Sequence, residues 1–189
     1  MEFRSRTSRP AVRIAVVLTA VAALLGISGC GKPDAGQPQA NGSSAAKGIY
    51  DTPINFGASG NSASIKASGW SKVEPQFTWT EGNVATLTIP ITPTDARVTL
   101  RVTAAGMIKE PEFPTHPVEV LVNDRKIADW QIGNTAPFSA PIPQELTKAG
   151  GTLTITFKMP RAVSPKDLGK GEDPRVLGMC LFNLELSTK

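Results

Sequence analysis

Imidazole is nearly absent from this chain: its 189 residues include one histidine, His116. A zinc site draws on about three or four His, Cys or carboxylate ligands. One imidazole and two cysteines, Cys30 and Cys180, do not assemble one from imidazole and thiolate. A serine triad would have to run through His116, and no Gly-x-Ser-x-Gly elbow accompanies it. His116 sits between Thr115 and Pro117 and reads as a histidine of a surface loop. No glycine-rich phosphate loop follows a strand and opens a helix. No Asp-x-Asp-x-Asp run offers a calcium loop. Nor does any basic stripe interleaved with aromatics suggest nucleic acid, so that class is set aside. No cofactor and no metal are expected. Aromatic residues are sparse, with one Tyr, three Trp and seven Phe. Long apolar stretches are scarce too. The one that stands out, residues 14–25, is shorter than the roughly 20 residues of a comfortable membrane span.

That stretch belongs to a tripartite leader over residues 1–29. Arg4, Arg6, Arg9 and Arg13 make a positive start, the uncharged run follows, and Ile27-Ser28-Gly29-Cys30 closes it. A branched apolar residue, two small residues and cysteine resemble the lipobox of bacterial lipoproteins. The resemblance implies a diacylglyceryl group on the Cys30 sulfur, cleavage before Cys30, and acylation (palmitate-type) of the new amino terminus. Anchoring by several chains has a physical rationale, because a single acyl chain holds a protein only marginally. An ordinary signal peptide with a chance cysteine, or a short anchor, is the plainer alternative.

Removing Arg4, Arg6, Arg9, Arg13 and Glu2 from 20 basic and 16 acidic residues leaves 16 and 15, close to neutral. The sequence pI of 9.2 therefore mostly reports the leader. After Cys30, residues 31–48 are Gly, Ala, Ser, Pro, Gln and Asn with few charges. Such a segment buries too little surface to offset its ordering entropy and reads as a flexible tether. Residues 49–189 suffice for one domain with its own core. If lipid occupies Cys30, Cys180 has no partner in the chain, and among Leu177, Met179, Leu181 and Phe182 it reads as a small buried hydrophobe.

Period-two alternation runs through the domain. Ala85, Leu87 and Ile89 alternate with Val84, Thr86 and Thr88. Val98, Leu100 and Val102 alternate with Thr99, Arg101 and Thr103. Val118, Val120 and Val122 share one face, and Leu153, Ile155, Phe157 and Met159 alternate with threonines and Lys158. Such patterning marks half-buried antiparallel strands. Toward the end, Leu177, Met179 and Leu181 give way to Phe182, Leu184 and Leu186. The parity change calls for a bulge or a strand buried on both faces. Asn123-Asp124 suits a tight hairpin. Prolines bracket the strands. Short helical pieces are plausible at 144–148 and at 165–168, the second behind Ser164 as N-cap. The expected fold is all-β: an antiparallel two-sheet β-sandwich, jelly-roll-like, of about eight or nine strands with one or two short helices.

Carboxylates come in pairs, Glu110 with Glu112 and Glu74 with Glu81. Glycoside hydrolysis needs two carboxyls about 5 to 9.5 Å apart across a cleft, a spacing that no sequence supplies. Loop carboxylates are usually solvated. Tryptophan is the more suggestive type. Trp70, Trp79 and Trp130 each read first as core residues. Exposed, an indole beside carboxylates or amides is a sugar platform, because the apolar pyranose face stacks on the ring. Trp79 lies between Thr78 and Thr80, which leaves its face ambiguous.

Ile54-Asn55-Phe56-Gly57, Gly69-Trp70-Ser71 with Glu74, and Thr78-Trp79 with Gly82 carry a second resemblance, continued by Val122-Asn123, Ser164-Pro165, Leu168-Gly169, and Asp173 with Arg175 and Leu177-Gly178. In this order they resemble the β-sandwich accessory domain at the C-terminal end of some bacterial membrane glycosyltransferases and phosphoglycerol-transferase-like proteins. The resemblance implies an accessory role, catalysis residing in a membrane region that a lipid anchor replaces here. Asp173 and Arg175 are expected to pair and fix the loop before the last strand. The resulting expectation is a non-catalytic, lipid-anchored envelope protein that binds glycan or glycolipid through Trp70, Glu74, Trp79 and Arg175. The alternative is a scaffold module with an envelope protein partner. A hydrolase, which would cluster Glu74, Glu81 or Asp173 in one cleft, is the third reading. By resemblance to enterobacterial lipoprotein sorting, Gly31 after Cys30, in place of an aspartate, implies the outer membrane of a two-membrane cell, facing the periplasm.

Overall fold

Alternating side chains become two antiparallel sheets. The computed structural model describes residues 49–189, so the leader, Cys30 and the tether expected over 1–48 lie outside the described residues. Eleven strands follow in order: β1 (Ile54–Asn55), β2 (Lys66–Ser68), β3 (Trp70–Val73), β4 (Thr78–Glu81), β5 (Val84–Ile91), β6 (Val98–Gly106), β7 (His116–Val122), β8 (Arg125–Ile132), β9 (Ala136–Ile142), β10 (Gly151–Lys158) and β11 (Leu177–Ser187). One sheet has the order β3-β4-β11-β6-β9, with β1 also paired to β11. The other has the order β2-β5-β10-β7-β8.

The expected inward positions fill the space between them. Ala85, Leu87 and Ile89 of β5, Val98, Leu100 and Val102 of β6, Val118, Val120 and Val122 of β7, and Leu153, Ile155 and Phe157 of β10 are all buried in one cluster, with Trp130 of β8 among them. This is the all-β two-sheet sandwich that the patterning predicts. Asn123 and Asp124 both take positive φ, 47° and 64°, as a type I′ hairpin between β7 and β8 requires. Pro137 and Pro141 fall on β9, an edge strand, where a missing N–H costs no ladder bond and blunts the edge.

The parity change in β11 has two causes. Register against β6 shifts between Leu181 and Asn183, and register against β4 shifts between Leu177 and Cys180. Leu177 to Leu181 are also buried without interruption. Three expectations need correction. The strands among the described residues number eleven, because the short β1, β2 and β3 carry too little alternation to register as strands. The expected helical pieces are single turns: a 3₁₀ turn at Gln144–Leu146, and a turn behind Ser164 whose Oγ accepts the Asp167 N–H at 3.0 Å. His116 is not on the surface. It opens β7 with 0% exposure, beneath the buried Met107, Ile108 and Phe113. Gly106 makes the room: a Cβ there would meet the Ile132 carbonyl oxygen at 2.3 Å and His116 Cβ at 2.9 Å.

Candidate functional site

The site begins with an inversion in β4. Thr78 and Thr80 are fully buried, and hydrogen bonds make that tolerable. Thr78 Oγ1 donates to the Phe56 carbonyl at 2.6 Å. Thr80 Oγ1 accepts the Met179 N–H and lies 3.0 Å from the Met179 carbonyl oxygen, to which it donates. It thereby serves both backbone groups of a residue inside the β4–β11 irregularity, where the ladder skips a position. With the threonines inside, strand geometry sends Trp79 to the outer face of the six-stranded sheet. There its half-buried indole meets Phe77 edge to face, with centroids 5.9 Å apart, and Phe77 in turn meets Phe182 at 5.2 Å.

The chain between β10 and β11 supplies the polar side. Asp173 and Arg175 form the expected fork: Arg175 Nε donates to both carboxylate oxygens at 3.1 and 3.0 Å, and Nη2 to Oδ2 at 2.6 Å. Arg175 Nη1 donates to Ser71 Oγ at 2.6 Å, tying the loop to β3. Lys170 Nζ donates to the Ile108 carbonyl at 2.8 Å and closes another side. The result is a cleft of ≈ 280 Å³ lined by Trp79, Met107, Ile108, Lys170, Asp173 and Arg175, among others. Apolar side chains line it together with hydrogen-bond donors and acceptors. Such a surface stacks on a flat apolar face and hydrogen-bonds the groups around it.

Hydrogen bonds from Arg175 hold the Asp173 carboxyl below the usual carboxylate range. Asp173 raises the Arg175 guanidinium further, and the charges of Glu74 and Glu81 add to that. A glycosidase acid needs its pKa raised; Asp173 moves the other way. Cys180, in register with Trp79 and Ala105, is 3% exposed, and burial pushes its thiol up to about 11. Among the described residues no group of three or more His, Cys, Asp or Glu side chains is arranged to hold a metal ion.

Of the four sequence candidates, Trp79 and Arg175 line one cleft. Glu74 stands close enough for its charge to act on Arg175. Trp70 is employed otherwise. Its Nε1–H donates to the Thr86 carbonyl at 2.8 Å and its ring packs on Phe56, with centroids 5.4 Å apart, on the flank of the core. Trp130 is core. Met107, Ile108 and Lys170 were not singled out from the sequence. A lysine between two glycines and two apolar residues after a glycine carry no signal of a cleft; only the fold brings them to Trp79.

No family model matches the chain, and no curated protein does. Among solved structures the chain is similar to carbohydrate-binding module CBM36 in complex with calcium and xylotriose, with a TM-score of 0.38 and 10% identity over 65% of this chain and 92% of that one. It is similar also to a family 35 carbohydrate-binding module from an environmental isolate, with a TM-score of 0.36 and 16% identity over 70% and 82% of the two chains. A third is a Paenibacillus cycloisomaltooligosaccharide glucanotransferase complexed with cycloisomaltoheptaose. Its TM-score is 0.37 and its identity 17%, over 74% of this chain and 19% of that one. At such scores the likenesses carry no argument about function.

Proposed function

We propose that residues 49–189 form a non-catalytic glycan-binding domain whose sugar sits in the Trp79 cleft. The observation that carries this reading is the outward, half-buried indole of Trp79 lining one cleft with the Asp173–Arg175 fork. A stacked pyranose buries its apolar face on the ring, while its hydroxyls meet charged groups already fixed in place. Asp173, held ionised by Arg175, is suited to accepting hydrogen bonds from hydroxyls and not to donating a proton.

The same reading takes Cys30 as the lipid anchor of an envelope protein, on the strength of its lipobox resemblance. Asp51 N–H donates to the Leu186 carbonyl and Thr188 N–H to the Asp51 carboxylate, each at 2.9 Å, so the chain enters beside the C-terminal end of β11. The cleft lies at the other end, by Leu177. About 30 Å of strand separates the two, which suits a site presented away from its point of attachment.

The test is affinity electrophoresis of the full chain through gels containing envelope polysaccharides. Retardation by at least one of them, abolished by Trp79→Ala and left intact by Trp70→Phe, is the expected result. A chain retarded by none, or a Trp79→Ala variant retarded as before, overturns the proposal.

A further inference from the structure

The outer face of the six-stranded sheet has a second opening, larger than the first. A groove of ≈ 430 Å³ lies over β9, β6 and β11, lined by Arg101, Thr103, Pro137, Ser139, Asn183 and Glu185. Register explains how these residues meet. Arg101 stands opposite Ser139 on one side and Glu185 on the other, and Thr103 opposite Pro137 and Asn183. They form two cross-strand rows on the face turned away from Leu100, Val102, Leu184 and Leu186, which are buried. The irregularity between Leu181 and Asn183 makes this possible, because it resets β11 so that Asn183 and Glu185 point outward beside Arg101.

Groove and cleft share one surface. Phe182 stands at the irregularity and touches Phe77, which touches Trp79. From Arg101 to Gly106 along β6, and from β9 across to β4, the diagonal is about 20 Å at ordinary strand spacings. Most charges along it face an opposite charge: Glu185 stands across from Arg101, and Asp173 binds Arg175, while Lys170 donates to the Ile108 carbonyl and is the cation without a carboxylate partner there. A polyanion would need a row of unmatched cations on its path, and one lysine at one end does not make a row. The remaining groups, an amide, two hydroxyls and a guanidinium partly committed to the Lys189 carbonyl at 2.9 Å, are of the kinds that pair with sugar hydroxyls.

We infer that the ligand is an uncharged, extended polysaccharide lying across this face, one unit on Trp79 and others in the Arg101–Glu185 groove. The inference rests on the sugar reading of the Trp79 cleft and adds the length and charge of the chain that it takes.

Calorimetric titration of the full chain with gluco-, xylo- and manno-oligosaccharides of increasing length, and with polygalacturonate as the polyanion, tests it. For at least one uncharged series, affinity should rise with length until about 20 Å is covered. The double variant Asn183→Ala/Glu185→Ala should weaken long chains about tenfold, the effect of losing two or so net hydrogen bonds, and leave the shortest binding ligand unchanged. Ser139→Tyr, which removes no native contact and fills the groove, should do the same. Trp79→Ala should abolish binding at every length. Affinity independent of length, still requiring Trp79 and indifferent to both groove variants, overturns the spanning mode and leaves the cleft standing. Tighter binding of polygalacturonate overturns the uncharged class. Failure of every ligand overturns the sugar reading itself.

Discussion

Thr80→Val exchanges a hydroxyl for a methyl at nearly constant volume, at a position with no exposure. The hydroxyl serves both the N–H and the carbonyl of Met179, within the stretch where β11 slips its register against β4. Valine leaves both groups buried and unpaired. Orphaning a buried polar group costs about 1–3 kcal/mol, and the added methyl recovers part of that, so a net loss of roughly 2 kcal/mol is expected. With a urea m-value of about 1–3 kcal/mol per M, the unfolding midpoint should fall by about 1 M. Thr80→Ser is the control. It keeps the hydroxyl and loses one buried methyl group, about 0.8 kcal/mol. Urea unfolding of both variants followed by tryptophan fluorescence makes the comparison. If Thr80→Val proves as stable as Thr80→Ser, the hydroxyl is not what holds Thr80 inside and Trp79 outside, and the account of the site is wrong.

Two further outcomes follow from buried titratable groups. Burial pushes the His116 imidazole below its ordinary value, against a smaller opposing effect of the Met107 carbonyl, and its Nε2 has no hydrogen-bond partner among the described residues. The unfolded chain therefore binds the proton more readily; stability is full above about pH 6.5 and is lost as pH falls below it toward the native value. The drop in urea midpoint between pH 7.5 and pH 5 should shrink in His116→Phe, and an undiminished drop refutes the assignment. The Cys180 thiol, pushed up to about 11, should resist alkylation at pH 8 until the chain unfolds. Peptide mapping of Cys180 reports this, and rapid labelling of the native chain counts against it.

How much was legible follows from what alternation can and cannot say. It placed the inner faces of β5, β6, β7 and β10 and the break in β11, because a pleated strand sorts neighbours by parity whatever lies across from it, while turn chemistry placed the Asn123-Asp124 hairpin. The Asp173–Arg175 fork was legible too, being a contact two residues long. Trp79 was not. By hydrophobicity alone an indole between two threonines belongs inside, and only Phe56, Met179 and Met159, supplied by distant parts of the chain, give the threonines partners that reverse the order. His116 misled in the opposite direction: Thr115 and Pro117 look like loop, while the room for its ring comes from Gly106, ten residues away.

The chain's own residues thus determine an all-β sandwich, the strands' inward sides and the residue types available for stacking and hydrogen bonding. These are local matters, set by parity and turn chemistry. Tertiary structure alone decides which indole faces water, that Trp79, Met107, Lys170 and Arg175 line one cleft, and that Arg101 and Glu185 stand on the same face as Trp79. Each of those depends on strands far apart in sequence being placed side by side, and on hydrogen-bond partners that a side chain acquires only once its neighbours are in register.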